Sequence, residues 1–183
     1  LNVSLWGISL ALFIFAFWKS ERGIQPVLEK MRIAKEKFRA RGIVFSPWTL
    51  TVLAVFFVSA FFRFYQLGQL PSEMFSDHAE KLLDVANVLD GQYNIFFPRN
   101  TGREAIQMYL TAAVSLFFGT GLSFMSLKIG TTLAGLLTIP FIYWLGKEVA
   151  NRRVGLFAMA FAGLAYWPNV ISRVALRFAL YPL

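Results

Sequence analysis

Long apolar runs alternate with short charged segments along the chain, and the runs approach the thickness of a bilayer rather than the spacing of an amphipathic soluble helix. Four runs predict membrane helices: Val3 to Trp18, Pro47 to Phe64, Phe124 to Leu145 and Val154 to Trp167. The first is short for a span and ends at Trp18-Lys19, an aromatic followed by a charge, as expected at a membrane interface. It lacks a basic leader and a small-residue cleavage site, so it reads as a membrane helix and not as a signal peptide. Pro47 opens the second at a favoured first helical position.

Two further helices are predicted between the second and third spans. Ser76 is placed to cap one from Asp77 to Asp90, with Leu82, Leu83, Ala86 and Leu89 on one face and Gly91 as terminator. The other, Glu104 to Phe118, carries an apolar core too short to cross, against the roughly twenty residues needed. It is expected to dip into the outer leaflet. The fold class is therefore all-α: a polytopic membrane protein with about four transmembrane helices and two extracytoplasmic juxtamembrane helices. Residues 1–46 form an N-terminal membrane helix and basic cytoplasmic segment, and residues 47–183 a second, truncated unit.

Charge sets the sidedness. From Lys19 to Arg41 there are eight Lys/Arg against three Glu, whereas Gln66 to Leu122 holds three basic and six acidic residues. Positive charge marks the cytoplasmic side, so Lys19 to Arg41, Lys147, Arg152 and Arg153 lie inside and the 66–122 stretch outside. The composition agrees: 57% hydrophobic residues, 17% aromatics and a mean hydropathy of +0.56 do not suit a soluble domain of this size. The formal charge of +8 is confined to segments beside apolar runs, which suits anionic lipid and excludes a nucleic-acid partner. With no cysteine, thiolate sites are absent.

The predicted crossings gather four outward groups of ionisable residues: Asp77-His78-x-Glu80, Arg103-Glu104, Lys128, and Arg173 with Arg177. Charges near hydrocarbon are costly and by default suggest a site for a polar substrate. Each also has a plain structural reading. Asp77 favours its helix dipole and can pair with Lys81 four residues on, Glu104 can satisfy the next helix, and Lys128 can snorkel to the interface. Arg173 and Arg177, four apart on one helical face, suit a phosphate or an anionic lipid equally. His78 and Glu80 point apart on a helix, so no metal site is expected.

From about Thr51 onwards the pattern resembles the GT-C fold membrane glycosyltransferases, in particular relatives of protein O-mannosyltransferases and aminoarabinose transferases. The resemblance rests on Arg63-Phe64-Tyr65 with Pro71, Ser76-Asp77-His78, the run Phe97-Pro98-Arg99-Asn100-Thr101-Gly102-Arg103-Glu104, Leu127-Lys128, and Ser172-Arg173 to Pro182. It implies an integral enzyme of a bacterial or archaeal cell membrane, active on the extracytoplasmic face, without a cofactor. The donor would be a polyprenyl-phosphate sugar and the acceptor a lipid or protein hydroxyl. Asp77 would be the catalytic base, while Arg103, with Lys128, Arg173 and Arg177, would hold the phosphate; His78, Glu80 and Glu104 complete the substrate-binding set. Relatives often carry Asp-Glu where this chain has Asp77-His78, and an acid near Arg177 that is missing here. The competing expectations are a transporter fragment and a non-catalytic membrane scaffold.

Overall fold

The computed structural model describes Ser4, residues 7–12, 46–99 and 102–180. The first expected span is helical at residues 7–12; the rest of it and the basic 19–41 segment lie outside the described residues, apart from Ser4. The chain divides into two compact units, Leu1–Leu50 and Thr51–Leu183, and the architecture below is that of the second.

The fold is mostly helical. In chain order come α1 (Pro47–Phe64), α2 (Ser76–Leu89), the two-residue strands β1 (Phe96–Phe97) and β2 (Arg103–Glu104), then α3 (Ile106–Phe117), α4 (Phe124–Val149), α5 (Arg152–Leu164), α6 (Tyr166–Arg173) and a 3₁₀ turn at Arg177–Leu180. Helices α1 and α4 are long and apolar enough to cross a membrane, and α5 with α6 passes as one broken span, bent by 55°. At 12 residues, α3 falls short of that length.

Two apolar clusters hold these elements. Val85 and Val88 of α2 pack with Phe97, Ala105, Met108 and Ala112, seating α2 and the hairpin on α3. Leu136, Ile139 and Met159 pack with Val52, Val55 and Phe56, joining α1, α4 and α5. Between α4 and α5 the backbones touch through glycine: a Cβ on Gly146 would lie 2.7 Å from the Gly155 Cα. Small residues at such crossings let backbones approach and pack without side chains between them.

Several expectations are revised. Helix α2 begins at Ser76, and its N-cap is Phe75, whose N–H donates to the His78 imidazole instead of a serine hydroxyl. Arg103 and Glu104 do not open a helix. They pair in an antiparallel hairpin, Phe97 opposite Arg103 and Phe96 opposite Glu104, and α3 follows at Ile106. The fourth expected span breaks at Ala165 because Pro168 has no N–H to donate to the Leu164 carbonyl; the chain restarts as α6 with Pro168 in its first turn.

That break strands carbonyls that a continuous helix would satisfy, and buried carbonyls need replacement donors. Arg63 donates to the Gly163 carbonyl at 3.0 Å and the Ala162 carbonyl at 3.3 Å. Asn169 donates to the carbonyls of Gly163 and Ala165.

Candidate functional site

Strand alternation in the hairpin sends Phe97 and Arg103 inward and Phe96 and Glu104 outward, as the pleat requires. Gly102 makes the tight approach possible: its φ is +102° and a Cβ there would overlap the Phe96 ring. The hairpin thus delivers Arg103, 4% exposed, against the polar side of α2.

Asp77, Glu80 and Asp84 lie three and then four residues apart on α2, which puts them along one face. All three converge on Arg103. Its Nη2 donates to Glu80 Oε2 at 2.6 Å and reaches Asp77 Oδ1 at 3.5 Å, and its Nη1 stands 3.5 Å from Asp84 Oδ2. Asp84, fully buried, also takes Arg99 Nη1 at 2.5 Å. Asp77 and Glu80 differ from Asp84 in remaining open: their side chains are 39% and 40% exposed.

Leu83 and Leu89 stay exposed while α2 buries His78, Lys81, Asp84, Val85 and Val88. The helix therefore turns both polar and apolar residues to the protein. Lys81 is 2% exposed and lies among Asp77, Arg103 and Arg177. Burial lowers its pKa to about 8; Asp77 opposes that shift, and Arg103 and Arg177 add to it.

His78 joins α2 to the chain after α6. Its Nδ1 accepts from the Phe75 N–H at 3.3 Å and its Nε2–H donates to the Val174 carbonyl at 2.7 Å. These partners define the neutral tautomer with the proton on Nε2. The ring is fully buried between Phe75 and Phe124, and burial is the main cause lowering its pKa.

The remaining cations go elsewhere. Lys128, 2% exposed, does not snorkel: its ammonium donates to the carbonyls of Leu67 and Pro71 and sits 4.6 Å from the Phe124 ring centroid. Arg173 donates to the carbonyls of Phe62, Tyr65 and Leu70. Together they fasten the loop after α1. Arg173 and Arg177 do not share a helical face, because α6 ends and the chain reverses at Ala175, φ +63°. Arg177 instead pairs with Glu104 at 3.1 Å.

The expected constellation thus separates into an acid–arginine cluster, holding Asp77, Glu80, Arg103, Glu104 and Arg177, and a loop fastener of Lys128 and Arg173, with His78 between them. Lys81, Asp84 and Arg99 were not expected at the cluster. The stripe of carboxylates at 77, 80 and 84 was the signal for Asp84, while nothing local marks Lys81 as buried. Among the described residues no group of three His, Asp or Glu side chains is arranged to hold a metal ion.

Beside the fastener lies a cavity of about 660 Å³ lined by Phe62, Leu70, Pro71, Leu164, Asn169 and Arg173, among others. Its walls are mainly apolar, as in many ligand pockets.

No known protein family matches the chain, and neither curated proteins nor solved structures show significant similarity to it.

Proposed function

We propose that this chain is the N-terminal part of a GT-C type glycosyltransferase that moves a sugar from a polyprenyl-phosphate donor to a hydroxyl acceptor at the extracytoplasmic membrane face. One observation carries the reading: Asp77 keeps an open carboxylate directly beside the buried cation Arg103. A base reachable by an acceptor next to fixed positive charge is what such a displacement needs.

In this reading the acceptor oxygen attacks the anomeric carbon as Asp77 takes its proton. The bond from that carbon to the phosphate oxygen breaks, and its electron pair leaves with the phosphate. Arg103 steadies the growing negative charge, and Glu80 holds Arg103 in place. His78 positions the first turn of α2, hence Asp77, through its bonds to Phe75 and Val174. Glu104 and Arg177 brace the outer side of the hairpin, while Lys128 and Arg173 set the loop that adjoins the apolar cavity, where a hydrocarbon chain would fit. The proposal also includes four spans, with the basic Lys19 to Arg41 segment and the α4–α5 link on the cytoplasmic side and α2, the hairpin and α3 outside.

Mutual pairing of Arg99, Arg103, Asp84 and Glu80 favours a second reading, a non-catalytic scaffold in which the cluster only holds the fold. Asp77→Asn in the full-length protein separates the two. Loss of sugar transfer with membrane insertion and thermal stability unchanged is expected for the enzyme. Transfer at the wild-type rate would remove Asp77 as the base, and no transfer by the wild-type protein would remove the proposal.

A further inference from the structure

We propose that the segment 172–177 couples the apolar cavity to the acid–arginine cluster, so that a hydrocarbon chain in the cavity sets the positions of Asp77 and Arg103. This coupling goes beyond the transferase reading and rests on it only for what those two residues then do. The segment starts pinned to α4: Thr132 donates its hydroxyl to the Ser172 carbonyl at 3.2 Å, and a Cβ on Gly135 would stand 2.5 Å from the Ser172 Cβ. Arg173 and Val174 follow as part of the cavity wall. The Val174 carbonyl takes the His78 Nε2–H at 2.7 Å, and the other ring nitrogen holds the Phe75 N–H, two residues before Asp77. Next, the Ala175 carbonyl takes the side-chain amide of Gln107 from α3 at 2.9 Å. Arg177 closes the segment on Glu104, the strand neighbour of Arg103. Both members of the candidate site thus hang from one stretch whose first residues wall the cavity.

Ala175 is the element with two arrangements open to it. It is fully buried and its φ is +63°, so a residue with a Cβ stands in the left-handed region, where only glycine is free of strain. Such a turn persists only while its surroundings hold it. Here the holders are His78 and Gln107 on one side and the packing of the cavity wall on the other. A relaxed turn would draw the Val174 carbonyl away from His78 and carry Arg177 off Glu104. The His78 ring, buried between Phe75 and Phe124, has no slack to absorb that shift, because packed interiors switch between arrangements more readily than they deform. An apolar chain in the cavity of about 660 Å³ touches Val174 and Arg173 where the bent turn places them. Contacts made in only one of two arrangements are what shift the equilibrium toward it.

The test puts a permanent occupant in the cavity. Residues 1–183 contain no cysteine, so Val170→Cys, in the cavity wall, offers a thiol there that octyl methanethiosulfonate converts to an octyl disulfide. Hydrogen–deuterium exchange of the Phe75 amide, in full-length protein in lipid nanodiscs, reads the far end of the link. The octyl group at position 170 should slow that exchange about fivefold or more, the lower end of usual coupling between sites. The same group on Phe157→Cys, an exposed position of α5, should leave it unchanged. His78→Phe should lose the response to the tag at 170, since the ring nitrogens that join Val174 to Phe75 are gone. Ala175→Gly should slow exchange at Phe75 before any tag is added, because glycine takes the left-handed turn without the Cβ cost, and the tag should then add less. Unchanged exchange at Phe75 in tagged Val170→Cys would overturn the proposal, as would an equal response to the tag at 157 or a full response in both His78→Phe and Ala175→Gly. Exchange is read without sugar transfer, so an Asp77→Asn protein that still transfers would remove the base and leave this coupling standing.

Discussion

Arg103 and Asp84 face each other across 3.5 Å with almost no access to solvent, at 4% and 0% exposure. Removing one member of a buried pair strands the other charge, which costs about 3–5 kcal/mol. Arg103→Met should therefore lower the unfolding midpoint of the detergent-solubilised protein strongly. Asp77→Asn, at an open carboxylate, should cost no more than about 1 kcal/mol. Thermal unfolding of both variants against wild type checks the contrast, and equal losses would show that Asp77 is as structural as Arg103.

His78 gives the fold an acid limit. Its pKa is lowered in the folded state by burial, so the unfolded chain binds more protons and stability rises with pH through the region below 6.5. Acidification should destabilise the protein as the imidazole is forced to charge and Nδ1 can no longer accept from Phe75. His78→Phe keeps the ring volume and loses both hydrogen bonds. It should be less stable at pH 7 and show a flatter acid limb in a pH series of unfolding midpoints; an unchanged limb would assign the acid sensitivity to other groups.

Lys81 gives an alkaline limb of the same sign. A lysine whose pKa falls from 10.5 to about 8 on folding holds its proton more tightly in the unfolded chain, so stability should climb between pH 8 and 10.5. Lys81→Met should flatten that climb and be at least as stable as wild type at neutral pH. The same midpoint series, extended upward, measures it, and a climb that survives in Lys81→Met would place its source elsewhere.

Gly155 and Gly163 are expected to tolerate no Cβ. At Gly155 it would overlap the Tyr143 carbonyl, and at Gly163 the Ser59 hydroxyl. Gly155→Ala should cost about 1–3 kcal/mol by forcing α4 and α5 apart, whereas Gly68→Ala, with nothing within 4 Å of the added carbon, should leave the unfolding midpoint nearly unchanged. Equal behaviour of the two alanine variants would mean that the α4–α5 crossing has room to spare.

The apolar runs made α1 legible to its ends, because a run whose one charge, Arg63, stands in its last turn has only one way to satisfy its backbone in lipid. The start of α4 was legible for a similar reason, but its cap, Ser123, whose hydroxyl accepts from the Ser126 N–H, was not singled out. What did not show in the run 154–167 was the break, since Pro168 reads equally as a terminator or as a first-turn residue of a new helix. The short hairpin was hidden because two paired residues leave no alternation to count. The site was half legible. Sequence placed Asp77, Glu80 and Arg103 on the same side, but it took Lys128 and Arg173 for substrate ligands because backbone carbonyls in need of donors leave no trace in residue types.

Arg63 precedes the bent pair α5–α6 in the chain by about a hundred positions, and this order matters during synthesis. The guanidinium is made with α1 and waits there as a ready-made berth, so the elbow at Ala165 meets its donors on arrival. Exchange of Arg63 for leucine should thus leave α1 helical and yet make the α5–α6 elbow the part that a protease reaches first.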